Sequence, residues 1–144
     1  MPKTFEKDFI SYCNNQELEV NPNQIAVIKK LEQYYQSNFK SFFSKLFSKQ
    51  NSKKGFYLFG GVGVGKTMIL NFFIDQIDQK KLRQHFNEFM LSFHDFAHER
   101  KGKNEENVIN QFVKNLKSKA SLIYFDEFQV TNIVDAMILG KLFD

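Results

Sequence analysis

Eight consecutive residues, Gly60-Gly61-Val62-Gly63-Val64-Gly65-Lys66-Thr67, hold the densest chemistry in this chain, and the apolar run Phe56-Tyr57-Leu58-Phe59 precedes them. The spacing is GxxxxGK followed by Thr, a pattern suited to holding phosphate. Glycines let successive backbone N–H groups turn inward and approach an anion that a Cβ would keep away. Lys66 adds a mobile positive charge for the β- and γ-phosphates, and the Thr67 hydroxyl can ligate a magnesium ion. A helix is expected to open at Thr67 and continue through the apolar stretch from Met68, aiming its positive end at the same phosphates.

A second group lies sixty residues on. Leu122-Ile123-Tyr124-Phe125 ends abruptly in Asp126-Glu127. A continuous apolar run suits a buried strand, and α/β sheets bind ligands at the carboxyl ends of their strands. Asp126 at that edge could hold magnesium, directly or through water. Glu127 could orient or deprotonate a water that attacks the γ-phosphate. Alone, two acids at a loop entrance mean little; paired with the phosphate loop they define the second half of a nucleotide-hydrolysing site.

The elements that must position these residues read as α/β. Phe56–Phe59 is expected as the strand entering the loop, followed by a helix to about Gln79. Residues 83–87 suit a second strand. Phe89, Met90, Phe93, Phe96 and Ala97 return to helical spacing, and Gly102 breaks it. Asn104 can cap a helix burying Val108, Ile109, Phe112, Val113 and Leu116, with Glu105 and Glu106 suiting its positive end. The strand 122–125 follows, then a helix from Thr131. Upstream, residues 1–20 read as extended or loosely helical, and Asn21-Pro22 starts a helix with Ile25, Ile28, Leu31 and Tyr35 on one face. The apolar stripe continues through Phe39, Phe42, Phe43, Leu46 and Phe47, and a polar connector spans 50–54.

The 144 residues suffice for one domain with a core, and 42% hydrophobic and 25% charged residues are ordinary globular values. Cys13 is the only cysteine, which excludes an internal disulfide and fits a reducing compartment. The first residues carry Lys3, Glu6, Lys7 and Asp8 and lack the apolar core of a leader; nowhere is there a run of about 20 apolar residues. A cytoplasmic location is expected. Between Lys29 and Lys54 there are seven lysines against Glu32 alone. That Lys- and Phe-rich stretch (39–54) suits an anionic membrane, nucleic acid, or a helix covering the α/β core; the last reading is favoured. His94 and His98 share the i, i+4 spacing of a zinc helix, with Asp95 in place of Glu and no evident third ligand, so an exposed helix face is favoured.

The segments GFYLFGGVGVGKTMIL, HFNEFM and LIYFDEFQVTNIVDAMILGKLF closely resemble the ZapE-type (AFG-like) ATPases, a branch of the AAA+ superfamily. The resemblance covers about 55–144 and is weaker over the N-terminal helical region. It implies a P-loop ATPase domain with a parallel sheet and flanking helices over 55–144, preceded by a helical region over 1–54. It implies that Gly60 to Thr67 is the Walker A element and Leu122 to Glu127 the Walker B element. Gly60, Gly61, Val62, Gly63, Val64, Gly65, Lys66, Thr67 and Met68 would bind ATP, Thr67 and Asp126 would hold Mg2+, and Glu127 and Lys66 would be catalytic. The family often has Arg at the position of Val64, His at Asn87 and Asp at Asn132. Val64 costs a surface charge but no backbone N–H.

The implied function couples ATP turnover to remodelling of a protein client, with division-ring components as candidates. Homo-oligomerisation would depend on a C-terminal part, and no stable nucleic-acid binding is expected. Members continue past this chain's last helix through a fourth and a fifth strand and an arginine finger. The fourth strand lies between those carrying the two Walker elements, so a chain ending at Asp144 is expected to hydrolyse ATP weakly or not at all. Two alternatives remain: a nucleotide-binding scaffold without turnover, and a DNA-associated AAA+ loader.

Overall fold

In the computed structural model, residues 4–39 and 54–144 are described, and their contacts divide the chain into two compact units, Met1–Asp78 and Gln79–Asp144. The first is helical. Helix α1 (Phe5–Asn15) buries Phe5, Phe9 and Cys13, one residue per turn along a single face. Helix α2 (Pro22–Phe39) buries Ile28, Leu31 and Tyr35. Helix α3 (Lys66–Asp75) buries Ile69, Phe72, Phe73 and Ile74.

The three meet through aromatic rings. Phe9 packs edge-on against Phe72 at 5.0 Å between centroids, and Phe5 stacks on Tyr35 at 5.7 Å while meeting Phe73 edge-on at 6.1 Å. Such pairs contribute about 0.5–1.5 kcal/mol beyond the burial of their area. The helix that leaves the glycine loop is thus anchored by the N-terminal helices.

Helix α1 lies in residues 1–20, which the sequence leaves open between extended and loosely helical. Its stripe is short and interleaved with Glu6, Asp8 and two asparagines, so the mean polarity hides it. It ends in a Schellman turn: Leu18 N–H donates to Cys13 O at 2.9 Å and Glu17 N–H to Asn14 O at 3.2 Å. Glu17 takes the left-handed conformation this turn requires, with φ +54°. Ahead of α2, the Asn21 side chain accepts from Asn23 N–H at 2.8 Å, the capping role its sequence position suggests.

The expected strand at Phe56–Phe59 does not form: residues 55–60 have no regular structure. A strand exists only where a neighbour takes its N–H and C=O groups, and the one sheet among the described residues contains two other strands. Tyr57 and Phe59 instead stack on each other at 6.0 Å and are 65% and 78% exposed. Of the stretch 39–54, only Phe39 and Lys54 lie within the described residues. Tyr34 donates its hydroxyl to Lys54 O at 3.1 Å, and Phe39 stacks on Tyr35 at 5.6 Å.

The second unit is the α/β part. Strands β1 (Lys81–His85) and β2 (Leu122–Asp126) pair in parallel, with Lys81 opposite Leu122 and His85 opposite Asp126. The connection between them contains α4 (Phe86–His98) and α5 (Glu105–Lys119), and α6 (Ile133–Leu142) follows β2. Parallel strands need such a crossover, and its helices bury one face of the sheet.

Phe86, Phe89, Met90, Phe93, Ile109, Phe112, Ile138 and Leu139 form the core. Phe112 is its hub, met edge-on by Phe89, Phe93 and Phe96 at 5.7, 5.1 and 5.3 Å. Strand β1 starts and ends two residues earlier than the sequence suggested. Phe86 is therefore the first helical residue, and its ring enters this core, 2% exposed. Asn104 and Asn132 cap α5 and α6, each accepting a backbone N–H at 2.8 Å. No described helix is long and apolar enough to cross a membrane.

Candidate functional site

Gly60 to Met68 belong to the first unit and Asp126 and Glu127 to the second, so each half has its own geometry. In the loop, Gly63 and Gly65 lie at φ +80° and +83°, where any Cβ is strained. At Gly63 a Cβ would meet nothing within 4 Å; at Gly65 it would come within 2.6 Å of Gln24 Nε2. That amide belongs to α2 and donates to Val64 O at 3.1 Å. Gln24 thus holds the loop from outside, and its amide would have to shift to admit a Cβ at Gly65.

The left-handed Gly65 is the N-cap of α3, and Ile69 N–H donates back to Gly65 O at 3.0 Å. Among the described residues, no acceptor takes the N–H groups of Gly61 to Gly65. Lys66 folds back over the loop, its ammonium donating to Gly60 O and, at 3.0 Å, to Gly61 O. Thr67 is exposed in the first turn, and Met68 is partly buried behind the loop. These N–H groups, an ammonium and a helix N-terminus lie within one short loop. This is the donor set that fits a polyphosphate.

In the second unit, β2 delivers Asp126 to the carboxyl end of the sheet. Arg83 grips it with a two-pronged contact: Nε donates to Oδ2 at 2.6 Å and Nη2 to Oδ1 at 3.2 Å. Register explains the pairing. Arg83 lies opposite Tyr124, and side chains two apart along a strand share a face, so Tyr124 and Asp126 point the same way as Arg83. The guanidinium carbon also sits 5.7 Å from the Tyr124 ring centroid. The hydrogen bond to Asp126, and then its charge, push the Arg83 pKa further up.

Glu127 follows with φ +53°, a left-handed conformation that disfavours any residue with a Cβ. Its side chain is exposed, so no local packing accounts for a glutamate there. Phe128 holds the next turn, packed edge-on against Phe86 at 4.8 Å and tilted against Phe125 at 6.0 Å. His85, opposite Asp126, is exposed at the end of β1.

The remaining sequence candidates fall into place around this frame. His94 Nε2 pairs with Asp135 Oδ1 at 2.9 Å, joining α4 to α6. Among the described residues no three His, Cys, Asp or Glu side chains are grouped to hold a metal. Magnesium needs only one or two protein oxygens beside nucleotide phosphates, and the Thr67 hydroxyl and Asp126 carboxylate are hard oxygen donors of the right type. Gln24 and Arg83 had no signal in the sequence. Gln24 is forty residues from the backbone oxygen it binds, and Arg83 is recognisable only once the β1–β2 register is known.

Parallel strands joined through helices, with a glycine loop opening a further helix, put the molecule in the P-loop α/β class. The model of the AFG1-like ATPase family matches residues 7–144, and the chain belongs to that family. Since the match begins at residue 7, α1 and α2 are part of the family's pattern. The chain is 37% identical to lactation elevated protein 1 homolog B of Danio rerio, over 67% of this chain and 21% of that protein. It is 36% identical to cell division protein ZapE of Escherichia coli K12, over 66% and 25% respectively. An uncharacterised protein of Schizosaccharomyces pombe is 32% identical over 63% and 21%. The matched part of the chain therefore spans about a quarter or less of the length of these relatives. No solved structure matches it.

Proposed function

We propose that this chain is the nucleotide-binding part of an AAA+ ATPase, in which Gly60 to Met68 hold the phosphates of ATP. The observation that carries this reading is the glycine loop: two left-handed glycines lead straight into the start of α3, and the Lys66 ammonium lies against the loop's own carbonyl oxygens. Lys66 would exchange its bonds to Gly60 O and Gly61 O for the β- and γ-phosphates. Thr67 and Asp126 would hold Mg2+, which supplies charge neutralisation on the phosphate oxygens. Glu127 would accept the proton of the attacking water. Family membership supports ATP hydrolysis, and the backbone strain at Glu127 suggests that a carboxylate is retained there for function.

A protein client is the natural recipient of the work. The Escherichia coli relative is by name a cell division protein, which suggests a partner in division. Binding without turnover is a second reading, favoured by the two-pronged hold of Arg83 on Asp126.

Fluorescent ATP-analogue titration and phosphate release, measured on the purified chain, test both readings. Turnover that Glu127→Gln abolishes while binding persists supports the first. Binding with no phosphate release supports the second, and no binding at all refutes both.

A further inference from the structure

Asp126 is the more buried partner of its ion pair, its side chain 18% exposed against 49% for Arg83. A carboxylate partly withdrawn from water is favoured by a nearby counter-charge. The guanidinium supplies it in the fork geometry that suits a carboxylate best, one N–H to each oxygen. Its place is fixed twice over, by register opposite Tyr124 and by the ring of that residue. A divalent cation approaching Asp126 thus meets a carboxylate whose charge is already balanced and whose two oxygens already accept hydrogen bonds.

We propose that Arg83 is the internal counter-ion of Asp126: it orders that carboxylate in the absence of metal and sets how tightly a divalent cation binds there. This rests on the reading of Asp126 as a metal ligand. Arg83 is a positioning residue in this scheme, acting through Asp126 rather than on substrate. Metal entry is an exchange, in which the guanidinium gives up at least one of its two contacts and turns toward water. Its half-exposed position leaves room for that turn. Removing the positive charge while keeping the length of the stem then tightens the metal, against the usual expectation that breaking an ion pair near a site weakens it.

The test uses the whole chain, with Mn2+ as the probe, followed by electron paramagnetic resonance in saturating ADP. Arg83→Met should bind Mn2+ about three- to tenfold more tightly than the native chain, a modest factor because the pair is partly screened by solvent. Arg83→Lys keeps the charge but loses the fork, and should recover most of the native affinity while remaining about twofold tighter. In an Asp126→Asn background, Arg83→Met should change Mn2+ binding by less than about twofold, since coupled residues are not additive.

Unchanged or weaker Mn2+ binding by Arg83→Met, with a native circular dichroism spectrum, overturns the proposal. Should Arg83→Met fail to fold, Arg83→Lys decides the matter, and affinity equal to or below the native value overturns it. A native chain that binds no Mn2+·ADP refutes the nucleotide reading and this inference together. A native chain that binds but ignores Arg83 refutes the inference alone.

Discussion

The left-handed backbone at Glu127 makes a prediction in which stability and chemistry move in opposite directions. At φ +53° a residue with a Cβ costs about 1–2 kcal/mol. Glu127→Gly removes that cost. Glycine gives back about 0.5–1 kcal/mol through the extra freedom of the unfolded chain. The Glu127 side chain is exposed, so no packing is lost. The net expectation is stabilisation by about 0.5–1 kcal/mol relative to the native chain.

Glu127→Ala is the essential control, since it deletes the carboxylate but retains the Cβ and hence the strain. Glu127→Gly should therefore exceed Glu127→Ala by about 0.5–1 kcal/mol in urea denaturation followed by circular dichroism, with equal slopes. Both variants should lose any phosphate release. If glycine is no more stable than alanine at 127, the backbone there is not strained in solution, and the argument that function holds a glutamate in place collapses.

The loop offers a matched pair: Gly65→Ala meets both an unfavourable φ and Gln24 Nε2 at 2.6 Å, whereas Gly63→Ala meets the φ alone. Gly65→Ala should lower ATP-analogue affinity at least about tenfold, and Gly63→Ala appreciably less, by fluorescence titration. Gln24→Ala frees the loop from α2, and its binding curve should weaken less than that of Gly65→Ala. Phe112→Ala empties the hub of the second core and should cost about 3–5 kcal/mol by chemical denaturation. Asn104→Ala removes the cap of α5 and should cost about 1 kcal/mol in the same assay.

Much of the local architecture was legible because single residue types enforce it. Gly65 and Lys66 mark the start of α3 whatever surrounds them, and Asn104 with two following glutamates announces α5. The change from apolar Phe125 to the acids Asp126 and Glu127 likewise marked the end of β2 to within one residue. What escaped the sequence depended on partners distant in the chain. Phe56–Phe59 had a strand's composition, but pairing is a property of two segments, and the one sheet among the described residues does not include it. Helix α1 was hidden because its stripe is only three residues long and gains meaning from Phe72, Phe73 and Tyr35. The contacts of Gln24 and Arg83 are of the same kind. Asp126 could be chosen from the sequence as a candidate ligand, but its counter-ion required the parallel register.

The Lys66 ammonium, tied to the carbonyl oxygens of Gly60 and Gly61, bears on the thermodynamics of capture. A lysine freely solvated at the surface would surrender both water and rotamer freedom on meeting a phosphate. Here part of each loss is incurred during folding, because the chain is already ordered and its charge already faces oxygen. A bound anion would then substitute one oxygen cage for another. The entropy penalty of recognition would be correspondingly reduced, and the heat released smaller than the strength of the final contacts would suggest.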